Sequence, residues 1–299
     1  MISIVIPTFN NLEYLKLCIN SIKKNSKYSH EIRLHINDGS DGTLDFANTN
    51  SIFYTHSTNN IGLCSSINLI SSTVTSEYLL YAHDDMYFCP NWDDVLIKEV
   101  KSIGHNSFYL SGTMIEPNSA HISFDCGDSP NNFDENKLLD NLDHLDFYDH
   151  QGSHFAPHLV EKNLWDSVGG FSEEFNPGMA SDPDFNMKLW NKGVRIFKGI
   201  NNFKVYHFGS IVTRKYKNHP TIKTESGSRG AKIFLLKWGF SIKFFKKFFL
   251  RSDSEYIEEL EEPKKNFPFY INYFINKINY LYTKYIYNFN NKHKLLPYE

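Results

Sequence analysis

The sequence predicts an α/β fold in which a mostly parallel sheet is flanked by helices. Over the first hundred residues, short apolar runs alternate with stretches of helical periodicity. Each apolar run also stops at a cluster of polar turn residues, as the strands of such a sheet do. Strands separated by helices need crossover connections, which place neighbouring strands parallel to one another.

Each element of the first region follows from its local pattern. The run from Ile2 to Ile6 is continuously apolar and ends at Pro7, which is typical of a strand buried on both faces. Three more strands are predicted from shorter or alternating apolar runs, at 32–36, 52–54 and 77–82. Two helices are predicted between the strands, at 12–22 and 60–71.

The middle of the chain is less regular. Residues 116–151 are rich in Asn, Asp, Ser and Pro and predict a long loop. The other predicted elements are a strand, two helices and two closing strands, in the order 108–114, 163–168, 182–193, 194–197 and 203–207. Near residue 240 the composition changes to Phe, Tyr, Lys and Asn, so the sequence predicts one domain over 1–239 and a helical, aromatic-rich extension over 240–299.

This C-terminal extension has two interpretations. On a helix, the four phenylalanines of 241–251 share one face and its lysines lie largely on another. Residues 267–289 carry aromatics spaced by Asn and Lys, which is too polar for a membrane span but suits a helix lying on a membrane surface. Alternatively, the aromatic face packs on the first domain or on a second copy as a homodimer.

Composition excludes some classes of protein. The chain has 31 Lys+Arg and 34 Asp+Glu, so overall basicity gives no reason to expect a nucleic-acid partner. No apolar run approaches the roughly 18 residues of a membrane span, and the N-terminus does not resemble a signal peptide. The four cysteines have neither disulfide nor zinc spacing. We therefore expect a cytoplasmic protein.

The turn after the first strand excludes two nucleotide-binding classes. Residues 7–11 read Pro-Thr-Phe-Asn-Asn, whereas a dinucleotide-binding unit needs a GxGxxG turn at this place. The sequence has no Walker loop either. Instead, acidic residues follow the strands. Asp38 can accept hydrogen bonds from a base or ribose, although a simple turn aspartate is the alternative. The adjacent carboxylates of Asp84 and Asp85 repel one another, which a bound Mg²⁺ or Mn²⁺ would relieve.

These motifs together resemble glycosyltransferase family 2, whose members have the GT-A (Rossmann-like) fold, use nucleotide sugars and a divalent cation, and invert the sugar's anomeric centre. The resemblance covers roughly residues 1–239. Its first pieces are 4–10, 37–43, 60–62 with Asn68, and 81–85. Its later pieces keep the family order at 168–171, 181–185, 205–210 and 237–239.

The resemblance implies a role for each matching residue. Residues expected on the donor-nucleotide side are Pro7, Thr8, Asn10, Asp38, Asn60, Gly62 and Asp84. Asp85 and His207 are expected to bind the metal, and Asp182 falls where the family places its catalytic base. Gly169 and Gly170 resemble a turn that borders the acceptor site.

Three departures from the family pattern affect these expectations. The acid that usually precedes the base is replaced by Ser181, and the basic residue often found before Asn68 is replaced by Ile67, so we expect Arg214 or Lys215 to contact the diphosphate. His83 stands where the first acid of the metal motif usually lies, and we expect it to remain outside the metal site.

Asp182 also has a structural interpretation, because an Asp directly before Pro is a good helix N-cap. The resemblance favours the base. The sequence as a whole predicts metal-assisted transfer of a sugar, most simply from a UDP-sugar, to a hydroxyl of a glycan or lipid-linked acceptor in surface polysaccharide or glycoconjugate synthesis. Two alternatives stay open. One is a non-catalytic nucleotide- or sugar-binding protein with the GT-A fold, and the less favoured one is a sugar-phosphate nucleotidylyltransferase.

Overall fold

The architecture is described from a computed structural model that covers residues 2–118, 121–209, 225–252 and 254–290, with the backbone alone at 225–228 and 287–290. A ten-stranded sheet has the order β3-β2-β1-β4-β9-β6-β10-β5, with β7 beside β6 and β8 beside β10. Its strands are β1 Ile2–Phe9, β2 Glu31–Asn37, β3 Phe53–Ser57, β4 Tyr78–Tyr81, β5 Met86–Phe88, β6 Phe108–Glu116, β7 Ile122–Ser123, β8 His150–Gln151, β9 His158–Glu161 and β10 Ile196–His207.

Helices flank this sheet, which confirms the predicted fold class. The helices are α1 Leu12–Asn25, α2 Thr43–Thr49, α3 Leu63–Ser71, α4 Trp92–Ile103, α5 Glu135–Asn141, α6 Lys162–Ser167, α7 Ser181–Asn191, α8 Glu225–Trp238, α9 Ile242–Phe245 and α10 Phe267–Asn290. Short 3₁₀ turns lie at Leu142–His144 and Glu173–Phe175, and a π turn, Lys246–Leu250, continues α9. In the described part of the chain, no helix has the length and apolar character needed to cross a membrane.

The N-terminal half of the sheet is parallel throughout. β1 lies between β2 and β4, and β2 also pairs with β3 in parallel register. The apolar run of β1 is buried, with Ile4, Val5 and Ile6 fully inaccessible to solvent. Because parallel strands point the same way, β1, β2 and β4 bring their carboxyl ends to one edge of the sheet. The polar residues predicted to bind ligands follow these three ends.

The second half of the sheet is mixed. β9 runs antiparallel between β4 and β6, and β5 and β8 run antiparallel to β10. Two predicted strands, 194–197 and 203–207, form one strand, because β10 continues through a β-bulge between Ile200 and Lys204. The predicted loop 116–151 is also wrong in part, since it contains β7, α5 and β8. These elements are too short for their periodicity to be visible in the sequence.

The C-terminal extension packs against the rest of the protein at its beginning. Phe244 and Phe245 of α9 are buried in the main hydrophobic core. The ring of Phe249 lies 5.3 Å from that of Trp190 on α7, in an edge-to-face arrangement. Ser254 O also accepts a hydrogen bond from Gln151 N at 2.8 Å. The aromatic face predicted for 241–251 is therefore covered by the protein itself.

Candidate active site

The polar residues after β1 and β4 form one hydrogen-bonded group. Thr8 Oγ1 donates to Asp84 Oδ2 at 2.7 Å, and Asn11 Nδ2 donates to Asp84 Oδ1 at 3.1 Å. Burial and the neighbouring Asp85 raise the pKa of the Asp84 carboxyl. Pro7, next to Thr8, is buried within β1. Asp84 thus connects the end of β1 with the turn after β4. These hydrogen bonds fix the backbone next to Asp85.

Asp38 lies at the same edge, after β2. Asn10 Nδ2 donates to Asp38 Oδ2 at 2.9 Å, and the backbone N–H of Gly39 donates to Asn10 Oδ1 at 3.0 Å. Hydrogen bonds from Asn10 and Ser40 lower the pKa of Asp38, so its carboxylate is an ionised acceptor at neutral pH. The structure therefore brings two predicted donor-side residues, Asn10 and Asp38, into direct contact.

The turn before α3 is held by close packing. Gly62 has a left-handed φ of 87°, and a Cβ there would lie 2.5 Å from Asn176 Oδ1, so a larger residue does not fit. The Gly62 N–H donates to Asn60 Oδ1 at 2.9 Å. Asn37 Oδ1, at the end of β2, accepts from Ile61 N at 2.9 Å. These contacts place Asn60 and Gly62 beside the strand end that carries Asp38.

A three-residue group that could hold a metal lies where β4 and β10 end. It consists of His83, Asp85 and His207, whose ligand atoms all lie within 4.8 Å of one another. His207 Nε2 is 3.3 Å from Asp85 Oδ1, and His83 Nδ1 is 4.0 Å from the same oxygen. On the other side of its ring, His207 Nδ1 contacts Glu116 Oε1 at 2.5 Å.

The donor set of this group fits a divalent cation. Imidazole nitrogens and a carboxylate oxygen are ordinary ligands of first-row metals, and a ligating histidine usually donates its other N–H to a carboxylate. Glu116 is placed to accept such a bond. Without an ion, Asp85 and Glu116 raise the pKa of His207 to about 10 although its burial opposes this. An ion at this group would take the place of that proton.

His83, which the sequence analysis expects outside the metal site, lies beside Asp85 and His207. Its ring centroid is 5.7 Å from that of His207, and its side chain keeps about a third of its exposure (32%). Burial lowers the pKa of His83 to about 4, so its imidazole is neutral near pH 7 and has a lone pair to offer a metal. The geometry thus places His83 with Asp85 and His207 as a third candidate ligand.

Asp182 lies in the first turn of α7 and is half-buried. The N-cap position is occupied by Ala180, and Asp182 Oδ1 is buried without a hydrogen-bond partner in the described part of the chain. The capping interpretation of Asp182 is therefore wrong. Burial raises the pKa of its carboxyl to about 7. Ser181, which stands where the usual second acid lies, donates its hydroxyl to Gly178 O at 2.7 Å.

Tyr81, the last residue of β4, interacts with both Asp182 and the metal group. Its ring lies 5.3 Å from that of His83 and is fully buried. The pKa of its phenol is raised by burial and further by the carboxylates of Asp182 and Asp85. Tyr81 is thus within electrostatic reach of both carboxylates. This shared neighbour makes Asp182 a candidate base for the same site as the metal group.

A second carboxylate of α7, Asp184, has a different environment. It is fully buried and accepts hydrogen bonds from Ser172 Oγ at 2.6 Å and Trp238 Nε1 at 2.8 Å. Lys237 Nζ lies 3.0 Å from its Oδ1 and 2.7 Å from Glu174 Oε1. These bonds fasten α8 to α7. Asp184 is therefore a structural acid, although it is only two residues from Asp182.

The two glycines predicted on the acceptor side form a tight turn after α6. Gly169 and Gly170 both have left-handed φ values, and a Cβ on Gly170 would lie 2.4 Å from Asn68 Oδ1. Asn68 clamps the turn, since its side chain accepts from Phe171 N at 2.9 Å and donates to Phe171 O at 2.7 Å. This packing explains why Gly170 is a glycine.

Two residues that the sequence analysis does not place in the site lie beside it. Glu116 contacts His207 from 91 positions away, and no local pattern indicates such a pair. His83 belongs to the recognised motif, but the departure from the usual acid predicts no metal-binding role for it. Arg214 and Lys215, expected at the diphosphate, lie outside the described residues.

Comparison with known proteins identifies the family and the fold. The family profile "Glycosyl transferase family 2" matches residues 3–154, just over half of the chain. No curated protein matches the chain in sequence. The solved structure of S. aureus TarS 1–349 in complex with UDP-GlcNAc has a TM-score of 0.54 at 13% identity over 94% of this chain and 81% of that chain. The UDP complex has a TM-score of 0.53 at 14% identity over 82% of this chain and 74% of that chain.

The mixed α/β fold matches that of the solved glycosyltransferase structures, and carboxylates and histidines gather at the carboxyl ends of its strands. The chain belongs to glycosyl transferase family 2 and is a glycosyltransferase. The matched region contains the strand ends of β1, β2 and β4 with His83 and Asp85. Asp182 and His207 lie beyond it, and their roles stay predictions from the family resemblance.

Proposed function

We propose that the protein transfers a sugar from a nucleotide diphosphate donor to a hydroxyl of a glycan or lipid-linked acceptor, with inversion at the anomeric carbon. The observation that carries this proposal is the combination of a candidate metal group with a candidate general base. A potential metal group contains Asp85, and a carboxylate with a pKa of about 7, Asp182, has an oxygen without a hydrogen-bond partner among the described residues.

The first part of the proposal concerns the donor. Asp38 is an ionised acceptor for base or ribose hydroxyl groups, and Asn10 orients it. The other residues that we place around the nucleotide are Pro7, Thr8, Asn60, Gly62 and Asp84. TarS, which shares the fold, has been solved with UDP and UDP-GlcNAc, and this supports a UDP-sugar as the donor.

The second part concerns the leaving group. His83, Asp85 and His207 would hold a divalent cation, Mn²⁺ or Mg²⁺, and Glu116 would orient His207. Such an ion, when bound, offsets the negative charge that develops on the departing nucleotide diphosphate. Asp84 contributes indirectly, because its bonds to Thr8 and Asn11 fix the backbone next to Asp85.

The third part concerns the acceptor. Asp182 takes the proton of the acceptor hydroxyl while that oxygen forms its bond to the anomeric carbon. The bond between the anomeric carbon and the diphosphate oxygen breaks in the same step, so attack comes from the opposite face and the configuration inverts. A carboxyl with a pKa near the working pH suits this task, because a large fraction is ionised and its basicity is still high. The turn at Gly169 and Gly170 borders the acceptor side.

We also propose that His83 biases the site towards ions that accept nitrogen ligands. Mg²⁺ prefers oxygen ligands, whereas Mn²⁺ and later first-row ions also accept imidazole. A set with two imidazoles and one carboxylate therefore favours Mn²⁺ over Mg²⁺. Electron spin echo spectroscopy of bound Mn²⁺ tests this, since each ligating imidazole adds a nitrogen coupling.

The expected spectrum of the wild type has couplings from two imidazoles, and that of His83→Asp has one. The control, His105→Asp, changes a half-exposed histidine outside the group and should leave both couplings. A wild-type spectrum with a single imidazole would remove His83 from the metal site.

The alternative function is a binding protein that has kept the fold without catalysis. Ser181 in place of an acid is the sequence feature that favours it. The nucleotidylyltransferase alternative is disfavoured, because residues 7–11 form no glycine-rich basic loop for a triphosphate.

A donor panel separates these functions. The protein is incubated with Mn²⁺, a series of UDP-sugars and candidate acceptors, and products are identified by mass spectrometry and by NMR of the new linkage. Transfer with inverted configuration is the expected result. Donor binding without acceptor-dependent nucleotide release would favour the binding protein, and a product of retained configuration would contradict direct displacement. Cytoplasmic location and a role in surface polysaccharide or glycoconjugate synthesis remain part of this proposal.

A further inference from the structure

The helix α10 exposes a continuous apolar stripe. Six of its residues are spaced alternately by four and three positions and therefore lie on one side of the helix. We call these residues the α10 stripe: Phe267, Ile271, Phe274, Ile278, Leu281 and Tyr285. All six are exposed, from 43% at Ile271 to 77% at Phe267. At about 1.5 Å per residue the stripe is about 27 Å long.

The opposite side of α10 attaches the helix to the protein. Phe269 is buried, with its ring 5.2 Å from Phe244 and 5.3 Å from Phe248. Asn276 is also buried and accepts a hydrogen bond from Ser241 N at 2.7 Å. The orientation of the helix is thus fixed by its inner face. The stripe therefore faces outward because the opposite side of α10 is packed against the protein.

An exposed apolar stripe of this length is costly in water and usually marks an interaction surface. Its flanking charges indicate the kind of partner. Residues 263–290 contain no Asp or Glu, whereas four lysines lie before or along the helix, at 264, 265, 277 and 284. Two of the acids before the helix have other partners, since Glu262 pairs with Arg195 at 2.5 Å and Glu259 lies 3.6 Å from His105.

We propose that the α10 stripe docks on an anionic membrane surface, with the helix lying in the headgroup region. Phenylalanine and leucine side chains enter the boundary of the acyl chains, while the tyrosine hydroxyls and lysine amines stay at headgroup level. A second copy of the chain is a less suitable partner for the α10 stripe. Pairing two stripes would bring the lysines of one helix close to those of the other, and neither helix carries an acid to offset their charge. This inference is independent of the proposed reaction.

Co-sedimentation of the full-length protein with vesicles tests the proposal. Phosphatidylglycerol vesicles supply the anionic surface, and phosphatidylcholine vesicles are the neutral comparison. We expect binding to the anionic vesicles at low salt. The double variant Phe274→Gln, Leu281→Gln should lower the partition coefficient at least about tenfold, because two exposed apolar side chains lose their membrane contact. Glutamine is a good helix former, so α10 is retained.

A matched control changes two exposed apolar residues outside the stripe, Ile257→Gln and Leu69→Gln, and should bind as the wild type does. Lys277→Gln should lower binding to anionic vesicles about fivefold and leave neutral vesicles unaffected. Circular dichroism and thermal unfolding establish that each variant is folded.

Two outcomes would overturn the proposal: no binding of the wild type to anionic vesicles, or equal binding of the stripe variant. Dimerisation in solution that the stripe variant abolishes would assign the stripe to a second copy instead. Nucleotide release by the same preparations distinguishes these results from failure of the proposed reaction, because the stripe contains no residue of the active site.

Discussion

Two carboxylates of α7 show how environment assigns different roles to the same side chain. Asp184 is fully buried but receives hydrogen bonds from Ser172 and Trp238 and faces Lys237. Asp182 is half-buried, and its Oδ1 has no partner in the described residues. Partners stabilise the ionised form of a carboxyl, whereas burial without partners disfavours it. The first carboxylate is suited to structure and the second to proton transfer.

The pKa of Asp182 predicts how the transfer rate depends on pH. Burial raises it to about 7, so the carboxyl is protonated in acid and cannot accept the acceptor's proton. We expect the rate of nucleotide release with acceptor to rise with pH up to about 7 and then to level off. The residual rate of Asp182→Asn should lack this rise. An equally steep profile in that variant would assign the titration to another group.

The same pKa predicts an effect on stability with a defined sign. The folded state holds the Asp182 proton more tightly than an unfolded chain, whose Asp titrates near about 3.9. The tightly held proton of Asp182 therefore stabilises the folded state fully below about pH 4. This contribution to the free energy of unfolding is lost as pH rises through about 7, where the folded protein gives up the proton. Asp182→Asn does not titrate, so we expect it to be more stable than the wild type above about pH 8. Asp184→Asn is the control and should be less stable, because it weakens the ion pair with Lys237. Urea unfolding at several pH values measures both, and a destabilised Asp182→Asn would contradict the account.

At the scale of elements, strands with strong local patterns were predictable and short ones were not. β1 is a buried apolar run, and its strand could be predicted from that pattern alone. β5 has three residues and β9 has four, and both depend on pairing with β10 and β4 for their existence. The sequence predicts two strands in place of β10 because its bulge carries the polar pair Asn201 and Asn202. Tertiary pairing overrides local pattern at these positions.

The junction between α7 and α8 provides a test at this scale. Lys237→Met leaves the buried carboxylate of Asp184 without its cation, and breaking a buried pair in this way typically costs about 3–5 kcal/mol. We expect about 3 kcal/mol, because the Lys237 side chain keeps 24% exposure and solvent screens the pair. Trp238→Phe removes one hydrogen bond from the same carboxylate and should cost about 1–2 kcal/mol. Denaturant unfolding measures both free energies, and equal losses in the two variants would contradict an ion-pair role.

At the scale of the molecule, the beginning of the C-terminal extension contributes buried side chains to the main hydrophobic core. Phe244, Phe245 and Leu250 are buried in the same hydrophobic cluster as β1 and β4. Truncation after Gly239 would expose this cluster, and burial of one such side chain is worth about 1.5–3 kcal/mol. We expect the truncated chain to be insoluble or to melt well below the intact protein. Thermal unfolding measures this, and unchanged melting would establish 1–239 as an independent domain.

The candidate site was predictable to the extent that it follows from strand ends. Asp38, Asp84 and Asp85 directly follow strands that the sequence makes evident, and parallel strands bring such ends together. The pairing of His207 with Glu116 could not be predicted, because it depends on the register of β10 beside β6. The role of Asp184 likewise depends on α8, which no local pattern of the sequence indicated.

The central claim is that one site combines a metal group with a general base. Its most direct test is acceptor-dependent UDP release in Mn²⁺ by the wild type, Asp85→Ala and Asp182→Asn, with UDP affinity measured for each by calorimetry. The account predicts that Asp85→Ala and chelation with EDTA abolish release and weaken UDP binding. It predicts that Asp182→Asn binds UDP normally but releases it about 10²–10⁴-fold more slowly. Release that persists at the wild-type rate in Asp182→Asn, or in the presence of EDTA, would contradict the account.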